Sequence, residues 1–145
     1  MTDHLAVFDT TINETNRWLE ALQEELCCGR HEAYQVMRSV LHALRDRLSP
    51  GGAMRLAAQL PLLLKGVFVE GWRPDDTPVR THTSDAFVAR IADALPPGLE
   101  IDPGYATRAA IKVLWSHMHG GAVEKARAEV PADIRELWPD YVLMA

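Results

Sequence analysis

Residues 55–66 read RLAAQLPLLLKG, an apolar run with Pro61 at its centre. The run is far shorter than the roughly 20 residues that cross a bilayer. Proline has no amide donor and its ring clashes with the carbonyl four residues back, so it ends one helix and is tolerated at the start of the next. RLAAQL is therefore expected to close one helix, and PLLLKGVFVEGW to open a short second one at a tight corner.

Placing residues 34–68 over 104–138 without a gap brings Pro61 onto Pro131. Arg38, Leu44, Gly51 and Ala58 then meet Arg108, Leu114, Gly121 and Ala128. Leu41 meets Ile111, Leu48 meets Met118, Leu64 meets Ile134 and Phe68 meets Trp138, so apolar positions coincide where a core is needed. A shift of one residue upstream sets Trp18, Leu22 and Leu26 over Phe87, Ile91 and Leu95, each set spaced for one helix face. The pattern predicts a unit of about 60 residues used twice, each copy covering the apolar face of the other.

Period and punctuation predict the elements. Residues 3–27 carry Leu5, Phe8, Ile12, Leu19, Leu22 and Leu26 at helical spacing, with Gly29 as the stop. Residues 31–48 place Tyr34, Met37, Leu41, Leu44 and Leu48 on one stripe. Ser49 and Pro50 are expected as N-cap and first position of a third helix running to about Leu60. In the second copy, Asp102 and Pro103 start a helix, Gly120 and Gly121 make a turn, and Pro131 marks the corner. The stretch GWRPDDTPVRTHT, residues 71–83, reads as a surface connection. The expected fold is all-α: one compact domain, residues 1–145, of two pseudo-symmetric four-helix repeats, 1–70 and 84–145.

Composition agrees with this. The chain has 145 residues, 48% hydrophobic and 24% charged, with a net charge of −5. A domain of this length buries enough surface to fold without a metal or a disulfide. Cys27 and Cys28 are adjacent, which strains any bridge between them. The first residues lack a basic region followed by an apolar core, so a cytoplasmic location is expected and a membrane is not. The net negative charge disfavours nucleic acid.

The segment RDRLSPGGAMRLAAQLP, the EGW that follows and the Val130–Pro131 corner resemble a bacterial family catalogued as domain of unknown function 2267. The resemblance covers about residues 3–139. It implies an all-helical, two-copy fold in a bacterial cytoplasm and supplies no catalytic residues.

The residues themselves carry little chemistry. His117 and His119 lie two apart, which on a helix turns them to different faces. His31–Glu32 begins a zinc-protease pattern, but Gln35 stands where the second histidine belongs. Cys27 and Cys28 sit at the C-terminal end of a helix, the wrong end for an activated thiol, although Arg30 and His31 leave a redox role open. No cofactor, metal site or catalytic residue is expected.

Arg38, His42 and Arg45, spaced i, i+4, i+7, predict a positive stripe on the outer face of the second helix. Arg108 and Lys112 repeat two of its positions. Trp115 replaces Arg45 in the second copy and is a candidate contact for a partner or a second subunit. Packing beneath the connection is its other expected place. The favoured reading is a non-enzymatic helical module that binds a protein, including a second copy of itself. The alternative is a sensor of a small anionic ligand in the groove between the repeats, with Arg38 and Arg108 as contacts.

Overall fold

The computed structural model describes residues 3–139, apart from the Ala122 side chain. Among these residues there are eight α-helices and no strand. They are α1 (Ala6–Leu26), α2 (Arg30–Arg47), α3 (Pro50–Ala57), α4 (Leu62–Val69), α5 (Ser84–Ala94), α6 (Pro103–His117), α7 (Gly121–Glu129) and α8 (Ala132–Arg135). A 3-10 turn, Pro74–Asp76, interrupts the connection between α4 and α5. The expectation for residues 140–145 as part of a second repeat lies outside the described residues.

Helix boundaries follow the punctuation closely. Ser49 Oγ accepts from Gly52 N at 3.0 Å and Pro50 takes the first turn of α3. Asp102 accepts from Tyr105 N at 2.9 Å and starts α6 with Pro103. Pro61 and Pro131 adopt nearly one backbone conformation, φ −54°, ψ 149° and φ −57°, ψ 149°. Each carbonyl accepts from the residue four along, Lys65 N at 2.8 Å and Arg135 N at 3.0 Å. Both prolines open helices, as RLAAQLPLLLKG predicts.

Two expectations need correction. Helix α1 stops at Cys27, which takes the left-handed conformation at φ 53°, while Gly29 is extended and begins α2. Glu32 Oε1 accepts from Gly29 N at 3.0 Å, filling the amide that a new helix leaves open. Helix α3 ends at Ala57 rather than Leu60, because successive short-range bonds, Gln59 N to Leu56 O and Leu60 N to Ala57 O, tighten the chain into the Pro61 corner. Leu5, Phe8 and Ile12 are exposed, not core. The stripe they begin enters the interior only from Thr11, where α4 first meets α1.

Helix α2 occupies the middle. It packs on α1, α3, α4, α5 and α6, and Val36, Met37, Val40 and Leu41 are fully buried. Each such side chain contributes about 1.5–3 kcal/mol by leaving water. Helix α6 lies against α1, α2 and α5 with Ile111 and Leu114 inside. One apolar cluster includes side chains from all eight helices.

Helices α3 and α7 are joined by a carboxylate. Glu129, the last residue of α7, accepts from Ser49 N at 2.9 Å, from Ser49 Oγ and from Arg55 Nη2 at 3.1 Å. Its negative charge faces the positive end of the α3 dipole. Gly52 permits this approach, since a β-carbon there would collide with the Glu129 carboxylate.

Leu44 and Leu114, matched by the internal alignment, are both buried. Replacing either with alanine should cost about 2–5 kcal/mol in urea unfolding. A harmless change at one of them would contradict the alignment register.

Candidate functional site

The stripe Arg38, His42, Arg45 does not face solvent as expected. It faces the end of α4. An eight-residue helix has little stability of its own, and its last four carbonyls lack intrahelical partners. Here all four are filled. Gly66 O accepts from Glu70 N, and Val69 O from Trp72 N. Val67 O accepts from His42 Nε2 at 2.7 Å and Phe68 O from Arg45 Nη1 at 3.0 Å. The same Arg45 nitrogen donates to Glu70 O at 2.8 Å, and Arg38 Nη2 bonds the Glu70 carboxylate at 3.0 Å.

Arg45 is only 5% exposed, which corrects its expected place on an open face. Its charge is balanced by Asp46, bonded to Nε at 2.8 Å, and Asp46 also holds Arg90 of α5 at 3.0 Å. A buried guanidinium is tolerable only when paired and hydrogen-bonded in this way. The i, i+4, i+7 spacing foretold that the three cations share a face. It could not foretell that the face is covered.

His42 is neutral-favouring. Because a carbonyl can only accept, Nε2 carries the proton donated to Val67 O. Burial pushes the His42 pKa down from its ordinary value, the Val67 bond opposes this, and the charges of Arg45 and Arg38 add to the lowering.

The other start of α4 is closed from α1. Pro61 offers no capping side chain, and Thr11 Oγ1 instead accepts from Leu63 N at 2.9 Å.

The second-copy candidates divide. Arg108 Nη1 donates to Glu136 O at 2.9 Å, just past α8. Lys112 pairs with Glu25 of α1. Trp115 is buried at 7% exposure, so it does not stand at the surface as a partner anchor. Its ring meets Trp138 edge-on, with centroids 5.0 Å apart at 83°. Trp138 is the residue aligned with Phe68, so the Arg45–Phe68 contact of the first half has an aromatic pair in its place in the second.

The remaining reactive candidates are otherwise engaged. His117 Nδ1 lies 2.8 Å from Val113 O and its ring stacks on Trp18 at 4.9 Å. Burial pushes the Cys28 thiol up, with the Glu32 and Cys27 charges adding to the shift, so it resists becoming a thiolate. Cys27 is exposed. Among the described residues no three His, Cys, Asp or Glu side chains converge as a metal-holding group. No helix among them is long and apolar enough to cross a membrane.

Sequence reasoning missed the exposed apolar face at the start of α1 and α4. Leu5, Phe8 and Ile12 are 62, 55 and 46% exposed, and Leu62 and Leu63 are 51 and 45% exposed. The Thr11–Leu63 bond joins the start of α4 to the first turns of α1, the two segments that carry these side chains. Their helical spacing is the same for a core stripe and for an overhanging one, so the pattern alone reads as interior.

Two outcomes follow for the α4 clamp. Arg45→Met leaves the Phe68 and Glu70 carbonyls without their side-chain donor and Asp46 with Arg90 alone, and should cost about 3 kcal/mol in chemical unfolding. Since the unfolded chain takes up the His42 proton more readily than the folded one, stability should fall as pH drops below about 6.5 and level off beneath the lowered pKa. His42→Gln should remove that part of the pH dependence, measured as the difference between the two unfolding profiles.

No curated protein matches the chain. A family model described as uncharacterized conserved protein (DUF2267) matches residues 15–137, a span that runs from the buried part of α1 through α8. By that match the chain belongs to the DUF2267 family.

Proposed function

We propose that the chain is a non-enzymatic helical module that works by associating with protein, and that its partner on the α1–α4 face is a second copy of itself. The observation that carries this reading is that Leu5, Phe8, Ile12, Leu62 and Leu63 are all about half exposed, on two helix starts that the Thr11–Leu63 bond joins. Five such side chains present on the order of 400 Å² of apolar surface, within the range of functional patches on single chains. That is about half of the roughly 800 Å² each partner gives to a standard interface. A polar rim around the group can supply the remainder.

A two-fold pairing suits such a face, because each contact across the axis then occurs twice. The two-repeat architecture belongs to the same reading: the near-identical backbone at Pro61 and Pro131 and the burial of Leu44 and Leu114 support it. The module is read as non-enzymatic because two histidine candidates are bonded to helix carbonyls, His42 to Val67 and His117 to Val113. A cytoplasmic setting remains part of this proposal.

Sedimentation tests it. The wild type should pass from monomer to dimer with rising concentration, and Phe8→Glu should stay monomeric with an unchanged helical spectrum, because Phe8 is outside the core. Trp115→Phe should dimerise like the wild type. A wild type that is monomeric throughout the concentration range would overturn the proposal.

A further inference from the structure

Between the end of α1, the outer face of α6 and residues 137–139 lies a cleft of about 260 Å³. Its walls include Ala109, Leu137, Trp138 and Pro139, so most of the lining is apolar. Its polar groups are unevenly used. At one side Lys112 pairs with Glu25, and Tyr105 Oη donates to Glu25 O at 2.8 Å, which leaves that side close to neutral.

Arg108 stands on the cleft with a different status. Its one recorded bond is to the backbone oxygen of Glu136, which does not cancel a unit charge. No carboxylate pairs with it among the described residues, whereas Arg38, the aligned residue of the first half, has Glu70. The remaining N–H groups of the guanidinium form a planar fork suited to a carboxylate. Trp138, also on the cleft and only 3% exposed, adds its ring to the apolar lining.

We infer that this cleft is a binding site for a small amphipathic monocarboxylate, its carboxylate on Arg108 and its apolar body against Leu137 and Trp138. At about 260 Å³ the cleft is smaller than the roughly 300–1,000 Å³ sites of drug-sized molecules, which suits a ligand of about ten heavy atoms. The direction of binding is fixed by charge. A neighbouring cleft of about 410 Å³ shares Arg108 and Leu137 but is also lined by Asp85 and Asp102, which repel an anion. The site shares no residue with the α1–α4 face, so either proposal stands if the other fails.

Octanoate is a suitable probe, with acetate and 1-octanol as the arms that lack the chain or the charge. In calorimetric titration of the full chain, octanoate should bind once per chain, at least tenfold more tightly than either arm. Arg108→Gln should weaken octanoate at least tenfold and leave octanol unchanged, and Arg108→Lys should restore part of the loss. In the wild type, the Trp138 Nε1–H and Arg108 Nε–H resonances should move on titration with octanoate, which tests the site without a variant. Overturning results are the absence of octanoate binding at millimolar concentration, equal affinity in Arg108→Gln, or shifts confined to α1 and α4.

Discussion

The guanidinium of Arg45 donates to the carbonyls of Phe68 and Glu70 from inside the protein, and the placement of α4 depends on it. Eight residues cannot sustain a helix by propensity, least of all a segment containing Gly66 and three β-branched or aromatic side chains, Val67, Phe68 and Val69. The ends of α4 are closed by other elements: Thr11 of α1 at its start, His42 and Arg45 of α2 at its finish. Leu64 and Phe68 are then fixed in the core. Arg45 also brings positive charge to the negative end of the helix dipole, while neutral His42 contributes its hydrogen bond alone. The Asp46 carboxylate balances Arg45 and ties α2 to α5 through Arg90, so the clamp also joins the chain on either side of the 71–83 connection.

The elements were legible because their ends are written in residue types with one strong preference. Pro61, Pro131, Pro103 and Ser49 each act where the sequence places them, because a missing amide or a short hydroxyl has few other uses at a helix boundary. Cys27 was not legible as the end of α1. A left-handed residue there is permitted by the local bond to Gln23 O, while Gly29 is more useful as the entry to α2. The core residues Leu22, Leu44 and Leu114 were read correctly, since period 3.6 selects a face. Period says nothing of how far the neighbours extend, and Leu5, Phe8 and Ile12 share the helical spacing yet lie outside the core.

The candidate site was legible as a constellation and not as an environment. Spacing put Arg38, His42 and Arg45 on one face, but only the fold shows that face covered by α4. In the second half the same positions diverge. Lys112 reaches α1, Trp115 closes on Trp138, and Arg108 binds a backbone oxygen while keeping its charge. A single substitution pattern, Arg45 with Phe68 against Trp115 with Trp138, thus changes a polar clamp into an aromatic one.

Native-state hydrogen exchange on α4 tests the clamp most directly. The amides of residues 65–69 should exchange as slowly as those at the centre of α2, opening only when the whole domain unfolds. Exchange there that is orders of magnitude faster than in α2, with α2 still protected, would show that α4 frays independently and that the α2 side chains do not hold it.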